Sequence, residues 1–139
     1  MQIFFDNEKG EVVKKPFVVH KGEKVTLEWY VDSNGKSNAK DSFMDLPLSS
    51  KKKFTHIFLR LGKMGKLFNK EKFRNEDDKI YAIKASQDRF LCFFFDGTKI
   101  IITNAYKKKS NKLPKNEKEK ALKAKKDYEQ RCKEGTYYE

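Results

Sequence analysis

"KIYAIKASQDRFLCFFFDGTKIIITNAY" spans residues 79–106 and holds three apolar runs separated by two short polar links. The runs 79–85, 89–95 and 99–106 are rich in Ile, Phe and Tyr, the residue types that favour strands. Asp96-Gly97 between the second and third is a two-residue hairpin signal, because both residue types tolerate the left-handed backbone such a turn needs. Three successive antiparallel strands follow from this. In the first, Tyr81 and Ile83 share a face with Lys79, while Ala82 and Lys84 take the other. A tight link after Ala85 sets Arg89 beside Lys84. The third strand ends at Tyr106 and runs straight into Lys107, Lys108 and Lys109, with Lys112 and Lys115 close behind. A greasy sheet therefore opens onto a cationic ledge, and the sheet collects Lys84, Arg89 and the mouth of the lysine run on one side.

Upstream, "VTLEWYV" (25–31) alternates Val25, Leu27, Trp29 and Val31 against Thr26, Glu28 and Tyr30, the period of a half-buried strand. Asn34-Gly35 marks a turn. Ser37 or Asn38 caps a short helix that carries Ala39, Phe43 and Leu46 on one face and stops at Pro47. Ser49 or Ser50 caps a second helix, whose Phe54, Ile57, Phe58 and Leu61 form one stripe, with Gly62 and Gly65 weakening its end. "FNKEKFRNEDD" (68–78) reads as a loop. Pro114 and Asn116 open a last helix, with Asn116 and Glu119 in capping spacing. Its apolar stripe of Ala121, Ala124 and Tyr128 is thin, so this helix reads as mostly solvated and lying over the sheet. Before residue 25, "MQIFF" and "PFVVH" are two short strand-like pieces separated by "DNEKGEVVKK", which reads as a turn. Grouped helices and strands argue an α+β fold, a mostly antiparallel sheet with helices on one face. We expect one domain over 1–139, with a core at 25–139 and an N-terminal extension at 1–24 forming a β-hairpin at the sheet edge.

At 139 residues the chain affords one core, and its longest apolar run, 90–95, is far too short to span a bilayer. The basic n-region and cleavage site of a signal peptide are missing from the first residues, and two cysteines make no disulfide framework, so a cytoplasmic protein with reduced thiols is expected. The net charge of +12 is uneven: residues 1–50 net −1 and residues 51–139 net +13. Such asymmetry points to a polyanion meeting the C-terminal part, against the competing reading of a lysine surface kept for solubility. Catalytic constellations are scarce. "NEDD" (75–78) lacks the spacing and glycine of a calcium loop and reads as a solvated turn, so no metal site is expected. His20 in the N-terminal segment and His56 beside the apolar stripe of the second helix read as structural or exposed, neither cysteine has a His or CxxC neighbour, and phosphate loops and nucleophile elbows are missing. What remains is cationic and aromatic: lysine and arginine on strands to clamp phosphate, and a tyrosine among them to stack on a base.

Four pieces of residues 77–131 carry a family resemblance: "IYAIKA", "DRFLCFFFDG", "KIIITNAYKKKSNKLP" and "EKEKALKAKKDYEQR". Together they resemble the C-terminal half of the HigB-like, phage-derived branch of the RelE/ParE toxin superfamily. Upstream, the strand and two helices agree with that family in pattern alone. The resemblance implies a RelE-like fold and the toxin of a type II toxin–antitoxin pair, a ribosome-dependent endoribonuclease that cleaves mRNA without metal or cofactor. It implies further that Lys84 and Arg89 stabilise phosphate and that Lys108 assists the leaving group. Tyr106 stacks on a base or shuttles a proton, and Lys107, Lys109, Lys112 and Lys115 bind RNA. The implied partners are mRNA and the ribosome, and a HigA-like antitoxin with a helix-turn-helix domain in a heterotetrameric or larger complex. Operator DNA is reached only through the antitoxin, and no membrane is involved.

The chain also departs from the family. Ala82 stands where many relatives carry a glutamate, and Leu113-Pro114 occupies the stretch that carries a tyrosine in RelE, with Tyr128 too far along to replace it. The general base is unassigned at this point. Two other functions are compatible with the fold: a ParE-like inhibitor that binds gyrase, and a nucleic-acid-binding module without enzymatic activity.

Overall fold

Turn chemistry and strand period account for the centre of the molecule, seen in a computed structural model that describes residues 2–6, 11–15, 17–67 and 69–138. The described residues form eight strands and three helices, in chain order β1 (Gln2–Asp6), β2 (Glu11–Lys15), β3 (Val18–Lys21), β4 (Thr26–Trp29), α1 (Asn38–Met44), α2 (Leu48–Met64), β5 (Phe73–Asn75), β6 (Tyr81–Ala85), β7 (Asp88–Phe95), β8 (Lys99–Lys107) and α3 (Lys115–Glu134). Strands β3 to β8 form one six-stranded sheet in the order β3-β4-β8-β7-β6-β5. Every pairing in it is antiparallel except β4 with β8, which are parallel and are joined by a long crossover through α1, α2 and β5 to β7. The Asp96-Gly97 turn has both residues left-handed, at φ 54° and 65°, as a twist-compatible hairpin requires.

Both faces of this sheet are covered. Leu27, Trp29, Ile83, Phe90, Cys92, Ile100 and Ile102 pack with the α2 stripe Phe54, Ile57, Phe58 and Leu61. On the opposite face Ile80, Ala82, Leu91, Phe93 and Ile101 pack with Ala121 and Tyr128 of α3. Two-sided burial is why β7 and β8 read as continuous apolar runs instead of alternating. The helices therefore lie on two faces, and the thin stripe of α3 is enough because aromatic rings reach past its alanines: Tyr128 lies 4.9 Å from Phe95 and 4.5 Å from Tyr137. Glu28, on the α3 face of β4, is buried yet satisfied by Lys99 at 3.3 Å and by the Tyr138 hydroxyl, which donates at 2.7 Å.

Several local expectations change. The first strand-like piece pairs with 11–15, inside the segment read as a turn, giving a separate two-stranded sheet β1-β2, while 18–21 joins the main sheet edge as β3. Residues 7–10 of that segment lie outside the described residues. Residues 73–75, read as loop, form the edge strand β5. Ser37 caps α1 by accepting from the Lys40 backbone N–H, but α2 and α3 begin after Pro47 and Pro114 without any side-chain cap. The prolines themselves occupy the N-cap positions, in extended conformation at ψ 153° and 134°. Gly62 does not fray α2. It is buried where the β3–β4 link crosses the helix, and a Cβ on Gly22 would lie 2.3 Å from the Gly62 backbone. No helix among the described residues is long and apolar enough to cross a membrane.

Candidate functional site

Register decides which cations meet. Lys84 of β6 pairs with Arg89 of β7, and Arg89 pairs with Tyr106 of β8, so the three form a single row across the sheet. The row lies on the α3 face, beyond the end that α3 covers. Tyr106 reaches that face only because of a β-bulge: Leu91 pairs with Asn104 but Cys92 pairs with Ile102, leaving Thr103 extra. Ile100 and Ile102 face α2, so an unbroken period of two would have sent Tyr106 there too. Past the bulge, Ala105 packs on the α2 side, while Asn104 and Tyr106 turn to α3. The bulge is held by buried polar contacts, with the Thr103 hydroxyl donating to Asn104 Oδ1 at 2.6 Å and Asn104 Nδ2 donating to the Glu117 carbonyl at 3.1 Å.

These residues open onto a small cleft of about 80 Å³ that also takes Lys108, Lys112 and Leu113 from the segment after β8. The Lys108 backbone N–H donates to the Gln87 carbonyl at 2.7 Å and so ties that segment to the β6–β7 turn. Arg89 is nearly buried, and its Nη1 donates to the carbonyls of Ser86 at 2.8 Å and Asp88 at 2.9 Å. Those bonds fix the guanidinium plane. Burial and then the neighbouring charges of Arg89, Arg74 and Lys108 lower the Lys84 ammonium below its ordinary value, while Glu76 opposes them. Burial, reinforced by Glu76, raises the Tyr106 hydroxyl, which therefore stays protonated at neutral pH.

Of the sequence-derived candidates, Lys84, Arg89, Tyr106, Lys108 and Lys112 converge on this cleft. Lys107 does not. It sits past the bulge on the opposite face and pairs with Asp88 at 3.2 Å. Lys109 and Lys115 are exposed and outside the cleft lining. Tyr128 is fully buried under α3 and takes no part. Two lining residues escape a reading of the sequence, Arg74 and Glu76, which form an ion pair at 3.3 Å. They come from the segment read as loop and solvated turn, and only the pairing of β5 with β6 brings Arg74 opposite Ala82. A larger cavity of about 670 Å³ adjoins the cleft, shares Lys84 with it, and carries Lys53, Arg60, Lys66 and Lys72 over an aliphatic floor.

The family model described as "Phage derived protein Gp49-like (DUF891)" matches residues 41–126, more than half of the chain. The chain belongs to this Gp49-like family. It is a RelE-like, toxin-type family, and the mixed six-stranded sheet with three helices agrees with a RelE-like α+β fold. The matched span begins in α1 and ends within α3, so it contains every cleft residue named above. None of the curated proteins compared matches the chain significantly.

Proposed function

We propose that this Gp49-like protein is the toxin of a type II toxin–antitoxin pair and acts as a metal-independent, ribosome-dependent mRNA endoribonuclease. The observation that carries the reading is the row Lys84–Arg89–Tyr106 with Lys108 in one cleft on rigid strands. Cleavage by the 2′-hydroxyl builds negative charge on a pentacoordinate phosphorus, and preorganised cations stabilise that charge without reorganising during the reaction. In this role Arg89 and Lys84 hold the phosphate oxygens. Lys108 stands by the leaving oxygen. Tyr106, protonated and half-buried, stacks on a base or donates to the phosphate. The adjoining cationic cavity suits the backbone of flanking nucleotides, with Lys112 lining the cleft itself. Lys109 and Lys115 extend the basic surface toward ribosomal RNA. The remaining partner is a HigA-like antitoxin with a helix-turn-helix domain, which would carry the complex to operator DNA.

Induction of the protein in a bacterial host should arrest growth and produce new mRNA 5′ ends within codons. The double substitution Lys84→Ala, Arg89→Ala should relieve both effects. Intact mRNA together with gyrase-dependent DNA breaks would replace this reading with the gyrase-inhibitor one. Binding of RNA without any cleavage would leave a nucleic-acid-binding module.

A further inference from the structure

RNA cleavage by a 2′-hydroxyl needs a group that accepts its proton, and the cationic row supplies none. Arg74 and Arg89 present guanidinium groups, which donate hydrogen bonds and accept none. The Tyr106 hydroxyl is pushed upward and keeps its proton. Lys84, Lys108 and Lys112 are assigned above to contacts with the phosphate, the leaving oxygen and flanking RNA. Glu76 is the one carboxylate among the described residues that line the cleft.

The chain holds that carboxylate in place with unusual effort. Its side chain is only 13% exposed and is paired with Arg74. Its backbone N–H donates to the Ile80 carbonyl at 2.8 Å, closing a turn in which Asp77, Asp78 and Lys79 are all left-handed, at φ 69°, 55° and 66°. Three consecutive non-glycine residues in that region are strained by about 1 kcal/mol or more each. The turn is held at Asp77 and Asp78, since the Asp77 N–H donates to Asn75 Oδ1 at 2.8 Å and Asp78 pairs with Lys118 of α3 at 2.8 Å. Opposite Arg74 stands Ala82, whose side chain leaves the cleft floor open beside Glu76. The strand supplies no carboxylate to the cleft, and one arrives from the neighbouring turn.

We propose that Glu76 is the proton acceptor of the cleavage reaction, an assignment that rests on the RNA-cleavage reading above. The 2′-O–H bond breaks as its proton passes to the Glu76 carboxylate, and the 2′-oxygen forms a bond to phosphorus. The bond from phosphorus to the 5′-oxygen then breaks, and that oxygen takes a proton from the Lys108 ammonium. The products are a 2′,3′-cyclic phosphate and a 5′-hydroxyl. Solvent returns the proton from Glu76 to Lys108, so the cycle closes without a co-reactant.

The charges around Glu76 come from every neighbouring element: Arg74 on β5, Lys84 on β6, Arg89 on β7, Lys108 after β8, and the turn's Asp77 and Asp78 with Lys118 of α3. The test is single-turnover cleavage of mRNA on programmed ribosomes by the purified protein, from about pH 5 to about pH 9. Glu76→Gln should slow cleavage by about 10²- to 10⁴-fold at neutral pH and abolish the rise of rate with pH on the acidic side, with RNA affinity kept or increased. Glu76→Asp should retain that acidic limb at a reduced rate, and formate should partly restore Glu76→Ala. If Glu76→Gln is not stably folded, the Asp and formate results decide. A Glu76→Gln rate within about threefold of wild type, with the acidic limb intact, overturns the assignment and leaves the nuclease reading standing. Wild-type protein that cleaves no RNA overturns both.

Discussion

Asn104 sits where the bulge, the sheet and α3 meet, and its removal tests whether the bulge positions the site. It is buried, accepts from the Thr103 hydroxyl at 2.6 Å, and donates to the Glu117 carbonyl and to Glu117 Oε1, both at 3.1 Å. Replacement by alanine removes two neutral hydrogen bonds at about 1 kcal/mol each and one to a carboxylate at about 1.5–3 kcal/mol. Water entering the vacated space returns part of this, leaving about 3 kcal/mol, a large share of the roughly 5–15 kcal/mol a domain possesses. With a urea slope of about 2 kcal/mol/M, the midpoint of Asn104→Ala should fall by about 1.5 M. Far-ultraviolet circular dichroism against urea reads the stability. Cleavage at low temperature, where the variant is still folded, reads the site. We expect that activity to fall about tenfold or more, because Tyr106 loses the backbone that turns it toward Arg89. A midpoint lowered by less than about 0.3 M, with activity unchanged, would refute the claim that this network holds the bulge and that the bulge holds the site.

Three further outcomes follow from other parts of the fold. Lys84→Met should abolish most cleavage, by about 10²- to 10³-fold, while leaving the melting temperature unchanged or raised by about 1–2 °C. Its folded value is depressed by burial and neighbouring cations, so the charged ammonium costs stability at neutral pH, and the difference in melting temperature should vanish as pH rises through the unfolded value of 10.5. A fall of more than about 3 °C at neutral pH would contradict this. Gly22→Ala should destabilise by about 2–4 kcal/mol, since the new methyl meets the Gly62 backbone at 2.3 Å, and an unchanged urea midpoint would remove the close contact from the account. A thiol reagent at mildly alkaline pH should label Cys132 alone in the native protein and both cysteines in denaturant, because Cys92 is fully buried and its thiol is pushed far upward. Rapid native labelling of Cys92 would show that the sheet opens locally.

Much of the architecture is determined by local sequence. The runs 79–106 dictate three strands because their residue types and the Asp96-Gly97 turn agree with one another, and the stripe Phe54, Ile57, Phe58, Leu61 dictates a helix face. The cationic ledge after Tyr106 is equally legible, since it is a run of adjacent residues. Tertiary structure alone decides the rest. Period-two reading is blind to a bulge, whose stability comes from Asn104 meeting Glu117 on a helix formed later in the chain. It is blind likewise to β5, three residues of mixed character that become a strand only by pairing with β6. Those two non-local events turn Tyr106 toward Arg89 and bring Arg74 and Glu76 to Lys84. The sequence thus names most of the cations, but partners distant in the chain determine which of them share a cleft and which carboxylate joins them.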